Sequence, residues 1–182
     1  SKVIFSDEKI FHVGQPVHHR YRRGERENVE ANRWSGQVHV WWAINPDFKI
    51  KPVIISENLN SARYVQVLGQ RTAMLKKRGY IFQQDNAPSH RAKRTKEWLA
   101  EKHITVLKDW PAQSADLNPI ENAWATINTA VQKRRVNSVN EFKAVVQDEI
   151  QKISQATVQS LCNSMPSRIE AVIAAGGRAT KY

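Results

Sequence analysis

Tyr80-Ile81-Phe82-Gln83-Gln84-Asp85-Asn86-Ala87-Pro88-Ser89-His90 and, further on, Trp110-Pro111-Ala112-Gln113-Ser114-Ala115-Asp116-Leu117-Asn118-Pro119-Ile120-Glu121-Asn122 place two carboxylates at the ends of regular elements. The first run reads as a short apolar strand stopping at Asp85. The second reads as a loop that feeds Glu121 into the first turn of a helix. Acids delivered from different elements suggest a metal site.

Upstream, Val3-Ile4-Phe5 leads into Asp7-Glu8, Ile10-Phe11 and Val13-Gly14, a strand continuing into a hairpin. Val38 to Ile44 and Ile50 to Ile55 are two further β-rich runs joined by the turn Asn45-Pro46-Asp47. Trp41 and Trp42 face opposite sides of such a strand, so at least one belongs in the core. Ser61 is read as the N-cap of a helix carrying Tyr64, Val65, Leu68, Thr72 and Leu75 and closed by Gly79. A basic helix from His90 to Lys102 and a short strand from Ile104 to Leu107 complete a β-β-β-α-β-α-β order.

Beyond Asn118 the pattern is helical. Ile120, Trp124, Ile127 and Val131 form one stripe, and Ser138 with Glu141 makes a capping box for a helix bearing Phe142, Val145, Val146, Ile150 and Ile153. A last helix, or a pair broken at Pro166, runs to Gly176-Gly177. No internal repeat interrupts this order, and 182 residues fit one domain on the usual ~100–200 residues.

Lys and Arg total 28 against 17 Asp and Glu, a net charge of +11, which makes a polyanion the natural partner, with a merely soluble basic domain as the alternative. The single cysteine, Cys162, excludes an internal disulfide framework and a cysteine zinc cage, and its apolar helical setting marks it as core. No apolar run approaches the ~20 residues of a membrane span, and the N-terminus lacks a signal-peptide pattern. Because Lys2-Val3-Ile4-Phe5 opens directly as a strand, a missing upstream part is expected. The histidines His12, His18, His19, His39, His90 and His103 show no metal-ligand spacing. Nor is there a glycine-rich phosphate loop.

The remaining chemistry rests on Asp7, Asp85 and Glu121, hard oxygen donors for Mg²⁺ that could hold two ions for phosphoryl transfer. Each has a structural alternative. Asp7-Glu8 could mark a strand end, Asp85-Asn86-Ala87-Pro88 an Asx-turn, and Asn118-Pro119-Ile120-Glu121 a helix cap.

Ser6-Asp7-Glu8 after an apolar strand, Gln84 to His90, Trp110 to Trp124 and the closing Ala179-Thr180-Lys181-Tyr182 resemble, in order and over essentially the whole chain, the catalytic domain of mariner-type DDE transposases. The resemblance implies a ribonuclease H-like α/β fold, a mixed five-stranded sheet flanked by helices with a helical C-terminal third. It implies that Asp7, Asp85 and Glu121 form the Asp-Asp-Glu triad binding Mg²⁺ or Mn²⁺, as two ions. In that family metal-activated water cuts transposon ends, and the freed 3′-hydroxyl is joined to target DNA, commonly at TA. Double-stranded DNA is thus the implied partner, with Asn86, His90, Arg91, Lys93, Arg94 and Lys96 as contacts beside the site. Residues 18–36, with Arg22, Arg23 and Arg26, occupy the place of the clamp loop that mediates dimer contacts, so the full-length protein is expected to be a homodimer.

The family's helix-turn-helix domains are absent from the stretch given, no membrane association is implied, and the location is intracellular, the nucleus in a eukaryote. Two departures stand out: residues 86 to 120 make the second spacing one longer than is commonest, with Lys108-Asp109 as the extra position, and Ala115 replaces a usual proline. A catalytically inactive, domesticated relative that binds DNA or protein is the second expectation. A different ribonuclease H-like nuclease is the third.

Overall fold

A computed structural model describes residues 2–13, 35–56, 58–112 and 114–182. Residues 18–34 of the expected clamp segment, with Arg22, Arg23 and Arg26, lie outside the described residues. Strands β1 (Val3–Val13), β2 (Gly36–Ile44), β3 (Val53–Ile55) and β4 (Ile81–Gln83) form a mixed sheet in the order β3-β2-β1-β4. β1–β2 and β2–β3 are antiparallel, and β1–β4 is parallel.

Instead of a fifth strand, the run Ile104–Leu107 meets β4 through a single parallel bridge between Phe82 and Val106. Phe82 N–H donates to the Thr105 carbonyl and Leu107 N–H to the Phe82 carbonyl. The extended run is short because His103 and Asp109, on either side of it, turn the chain through left-handed φ angles of 54° and 57°. β3 is also shorter than Ile50–Ile55, since Pro52 has no N–H to give a ladder.

The helices are α1 (Ser61–Gly69), α2 (Thr72–Leu75), α3 (Pro88–Arg91), α4 (Lys93–Glu101), α5 (Ile120–Val131), α6 (Val139–Lys152), α7 (Gln155–Asn163) and α8 (Met165–Ala174). Two of them correct the sequence expectation. The cap of α1 is Asn60, whose side chain accepts the Arg63 N–H at 2.9 Å, and Ser61 is already inside the helix. That helix stops at Gly69 rather than reaching Gly79, because Arg71 turns out to donate to the carbonyls of Lys51 and Pro52. The expected helix from His90 to Lys102 is bent at Ala92, which is extended (ψ 143°), and the Thr95 hydroxyl closes the bend by donating to the Ser89 carbonyl at 2.7 Å. In α6 the Ser138 hydroxyl accepts the Glu141 N–H, while the Glu141 carboxylate reaches back to the Asn137 N–H.

The alternation of β1 and β2 builds two cores, one on each face. Phe5, Phe11, Val40 and Trp42 pack with Trp124, Ile127 and Phe142 under α5 and α6. Ile4, Trp41 and Phe82 pack with Tyr64, Leu68 and Leu99 under α1 and α4. Both tryptophans are therefore core, and neither is free to stack on a base. Each such buried aromatic contributes roughly 1.5–3 kcal/mol through lost water contact. Cys162 is core too, and burial pushes its thiol up to about 12, far from a nucleophile's range. No helix among the described residues is long and apolar enough to cross a membrane.

Candidate active site

The parallel pairing of β1 with β4 ends at Phe5 and Gln83, and the site begins there. Ser6 locks the two strands at that point: its N–H donates to Gln83 Oε1 at 3.1 Å and its hydroxyl to the Gln83 carbonyl at 2.7 Å. Asp7 comes next on β1, in mid-strand, and Asp85 lies two residues past β4, so both acids stand just beyond the point where the β1–β4 pairing ends. Glu121 enters from the first turn of α5.

Just before α5, the Asn118 side-chain oxygen accepts the Ile120 N–H at 3.3 Å, a capping bond at the start of the helix. The amide nitrogen of the same side chain donates to the Ser6 carbonyl at 3.1 Å, tying the start of the helix to the strand that carries Asp7. Asp7, Asp85 and Glu121 consequently line one cleft of about 330 Å³, with Asn86, Trp110 and Ser114 among its other walls. Among the described residues no three Asp, Glu, His or Cys side chains are placed to hold an ion between them. The acids share a cleft without closing into a cage.

Successive residues on β1 point to opposite faces, so Asp7 and Glu8 are separated. Asp7 shares the α5 face, where Trp124 Nε1 donates to its Oδ2 at 3.0 Å. Glu8 shares the α1 face with His90, which is buried and lies against the Tyr64 ring at 4.0 Å between centroids. His90 Nδ1 sits 2.6 Å from Asp85 Oδ1, and its Nε2 is 3.3 Å from Glu8 Oε1, close enough for attraction although not aligned as a hydrogen bond. Asp85 Oδ1 also accepts the Ala87 N–H at 2.9 Å, so the Asx-turn read from the sequence and the cleft position coexist in one residue.

The sequence from residue 2 to 143 matches the family described as DDE superfamily endonuclease. The chain belongs to that family. Within it, the DDE domain is 42% identical over 105 residues to the Tcb2 transposase of Caenorhabditis briggsae, covering 58% of this chain and 38% of the relative. It is 33% identical over 193 aligned positions to the Tc3 transposase of Caenorhabditis elegans, covering 100% of this chain and 58% of the relative. The chain thus spans about half the length of these relatives.

Among solved structures, the Mos1 mariner paired end complex with Mn superposes with a TM-score of 0.81 at 23% identity, over 99% of this chain and 57% of that one. The catalytic domain of Mos1 mariner transposase gives 0.76 at 22% identity, over 99% and 84%. The DDE domain therefore shares the fold of a mariner transposase catalytic domain, a mixed four-stranded sheet flanked by helices of ribonuclease H-like type.

Electrostatics in the DDE domain's cleft follow from this packing. Burial, and then the charges of Glu121 and Glu8, push the Asp7 carboxyl up to about 7 against the opposing Trp124 N–H. Asp85 goes the other way, held low chiefly by its hydrogen bond with His90. Burial alone would pull His90 down, but Asp85 and Glu8 outweigh it and raise the imidazole to about 9.

A group whose folded pKa is raised contributes most stability at low pH and loses it as pH rises through the folded value. Asp7 and His90 therefore act in the same direction. Asp7 gives up its part between 3.8 and about 7 and His90 its part between 6.5 and about 9, so the metal-free DDE domain should melt at progressively lower temperature up to about pH 9, with His90 carrying the fall from pH 6.5 upward. The His90→Asn variant should lose the part of that slope due to histidine, and an unchanged slope in thermal melts across this range would contradict the His90 bridge. Asp85, held low, contributes stability that is lost only in acid.

Of the expected DNA contacts, Arg91, Lys93, Arg94 and Lys96 are exposed on α3 and α4. Asn86 lines the cleft, with its amide donating to the Trp110 carbonyl at 2.7 Å. His90 does not join them, because its ring is only 3% exposed and faces Asp85 and Glu8 inside the protein. Sequence reasoning passed over Glu8, Trp124 and Asn118 as site residues. Strand alternation after Asp7 was the available signal for Glu8, and the stripe that made Trp124 core concealed its polar edge.

Proposed function

We propose that this domain is the catalytic core of a DNA transposase, cutting strands at transposon ends and joining them to target DNA at TA, with Asp7, Asp85 and Glu121 holding divalent metal. One observation carries the proposal: in a member of an endonuclease family, three carboxylates from β1, the end of β4 and α5 face a single cleft. The donor set suits Mg²⁺ or Mn²⁺, which take hard oxygens, need only one or two carboxylates each, and fill the remaining positions with water and phosphate. An open arrangement is what such partial ligation requires, and Asp7, pushed up by burial and then by the charges of Glu121 and Glu8, sits where a bound cation would offset that charge. Metals in the relatives' structures agree, since Mos1 complexes are described with Mn and with Mg.

When bound, a pair of ions would activate water and stabilise the leaving oxygen of a phosphodiester. The chain's own residues do the positioning. Trp124 holds one oxygen of Asp7, His90 and the Ala87 N–H hold one oxygen of Asp85, and Asn118 anchors the helix that presents Glu121. Arg91, Lys93, Arg94 and Lys96, exposed on the helices that follow the cleft residues Asp85 to Ala87, supply cations for the DNA backbone. In the full-length protein we place the domain in a homodimer working on intracellular DNA, nuclear in a eukaryote.

Crystals soaked in millimolar Mn²⁺ should give an anomalous peak in the cleft between Asp7 and Asp85. A cleft without any peak under those conditions would overturn the metal assignment.

A further inference from the structure

Arg168 lies on α8, 2% exposed, and among the described residues it has no carboxylate as a hydrogen-bonded partner. Its guanidinium donates to the Asp116 carbonyl at 2.7 Å, to Ser164 Oγ at 2.8 Å and to Asn122 Oδ1, and it lies 4.7 Å from the Tyr182 ring centroid. Burying a cation is costly unless its donors are met, and this one meets acceptors on both sides of Glu121 in the sequence. The Asp116 carboxylate is occupied separately, accepting from the Thr180 N–H at 3.1 Å and the Thr180 hydroxyl at 3.0 Å. The same loop is fastened from the opposite side by Asn118 to the Ser6 carbonyl. At the start of α5 the Asn118 side chain accepts the Ile120 N–H at 3.3 Å, and the Arg168 and Thr180 ties hold the residues on either side of it, so together they set where the backbone presents Glu121.

We infer that Arg168 and Thr180 form a latch by which α8 and the Thr180–Tyr182 segment position Glu121 in the cleft. They act as positioning residues that touch neither metal nor DNA. The latch explains two motifs that the triad leaves unassigned: the aspartate and asparagine around Glu121, Asp116 and Asn122, and the Ala179-Thr180-Lys181-Tyr182 stretch that meets them. Ligand-orienting partners of this kind typically carry about 10–100-fold in metal affinity or activity. The inference rests on Glu121 being a metal-holding carboxylate.

The test measures Mn²⁺ binding by calorimetry and amide exchange by mass spectrometry in this chain and in Arg168→Met, Arg168→Lys, Thr180→Val and Glu121→Gln. Arg168→Met should weaken Mn²⁺ binding about tenfold and speed exchange in residues 115–122, leaving exchange in β1 and β2 unchanged. Arg168→Lys should recover part of both effects, and Thr180→Val should weaken binding about threefold, as one lost hydrogen bond would. If Arg168→Met does not fold, Thr180→Val carries the test alone. Wild-type Mn²⁺ affinity in the latch variants, with Glu121→Gln weakened, overturns the latch and spares the metal site. Wild-type affinity in Glu121→Gln overturns the metal role of Glu121 and the latch with it.

Discussion

Replacing Asp85 by Asn in the full-length protein should lower strand cleavage by at least about a thousandfold, the scale expected when a group acting directly on the reacting centre is removed. The substitution keeps the side chain's size and its acceptor for the Ala87 N–H, so the turn into α3 survives. What disappears is the anionic charge that faces the cleft and meets His90 at 2.6 Å. DNA affinity should stay within about threefold of wild type, because the proposed phosphate contacts are cations such as Arg91, Lys93, Arg94 and Lys96 and not the acids. Single-turnover cleavage of an end-containing duplex, with gel-shift binding on the same samples, reads both quantities. Undiminished cleavage would sink the assignment of Asp85. A wild-type protein that binds DNA and cuts none under any divalent metal would favour the domesticated, binding-only alternative.

The second large effect concerns stability. Trp124 is fully buried, packs edge-on to Phe11 with centroids 5.6 Å apart and leans on Trp42 at 5.5 Å, besides donating to Asp7. Trp124→Ala should cost about 3–5 kcal/mol, from lost burial plus the cavity left among rings that cannot collapse into it. For a domain with the usual ~5–15 kcal/mol of stability, that approaches unfolding.

Trp124→Phe separates the two roles of the side chain. It keeps most of the aromatic packing but removes the N–H from Asp7, whose carboxyl would then be pushed up further. Urea unfolding should show Trp124→Phe well above Trp124→Ala in stability, while its cleavage activity falls about tenfold or more, as for other lost orienting partners. Equal stability of the two variants would show that the indole is not acting as core.

The order of elements was legible because it is written in local spacing. Tyr64, Leu68 and Leu75, or Ile120, Trp124, Ile127 and Val131, are periodic whatever lies opposite them. The Ser138–Glu141 cap was legible for the same reason, since its partners are three residues apart. Breaks were not legible. The bend at Ala92 depends on Thr95 reaching Ser89 and on His90 being drawn inward, and the end of α1 depends on Arg71 meeting carbonyls of the β2–β3 connection. The fifth strand failed for a related reason, because how far a run extends is set by the partner edge and flanking turns as much as by its own composition.

At the cleft, residue types and spacing in Asp85-Asn86-Ala87-Pro88 and Asn118-Pro119-Ile120-Glu121 named the acids and offered each a turn or capping role beside catalysis. Those are short-range properties, and the chain carries them before it folds. Which neighbours each acid meets was decided by contacts between residues far apart in sequence. Asn118 bonds to Ser6, Trp124 to Asp7, and His90 stands between Glu8 and Asp85. Such contacts exist only after β1, β4 and α5 have packed, because hydrophobic burial is non-directional and brings these elements together without regard to the polar groups at their edges. The sequence thus named the acids and the elements that carry them, whereas the partner of each acid and the face it shares came from packing.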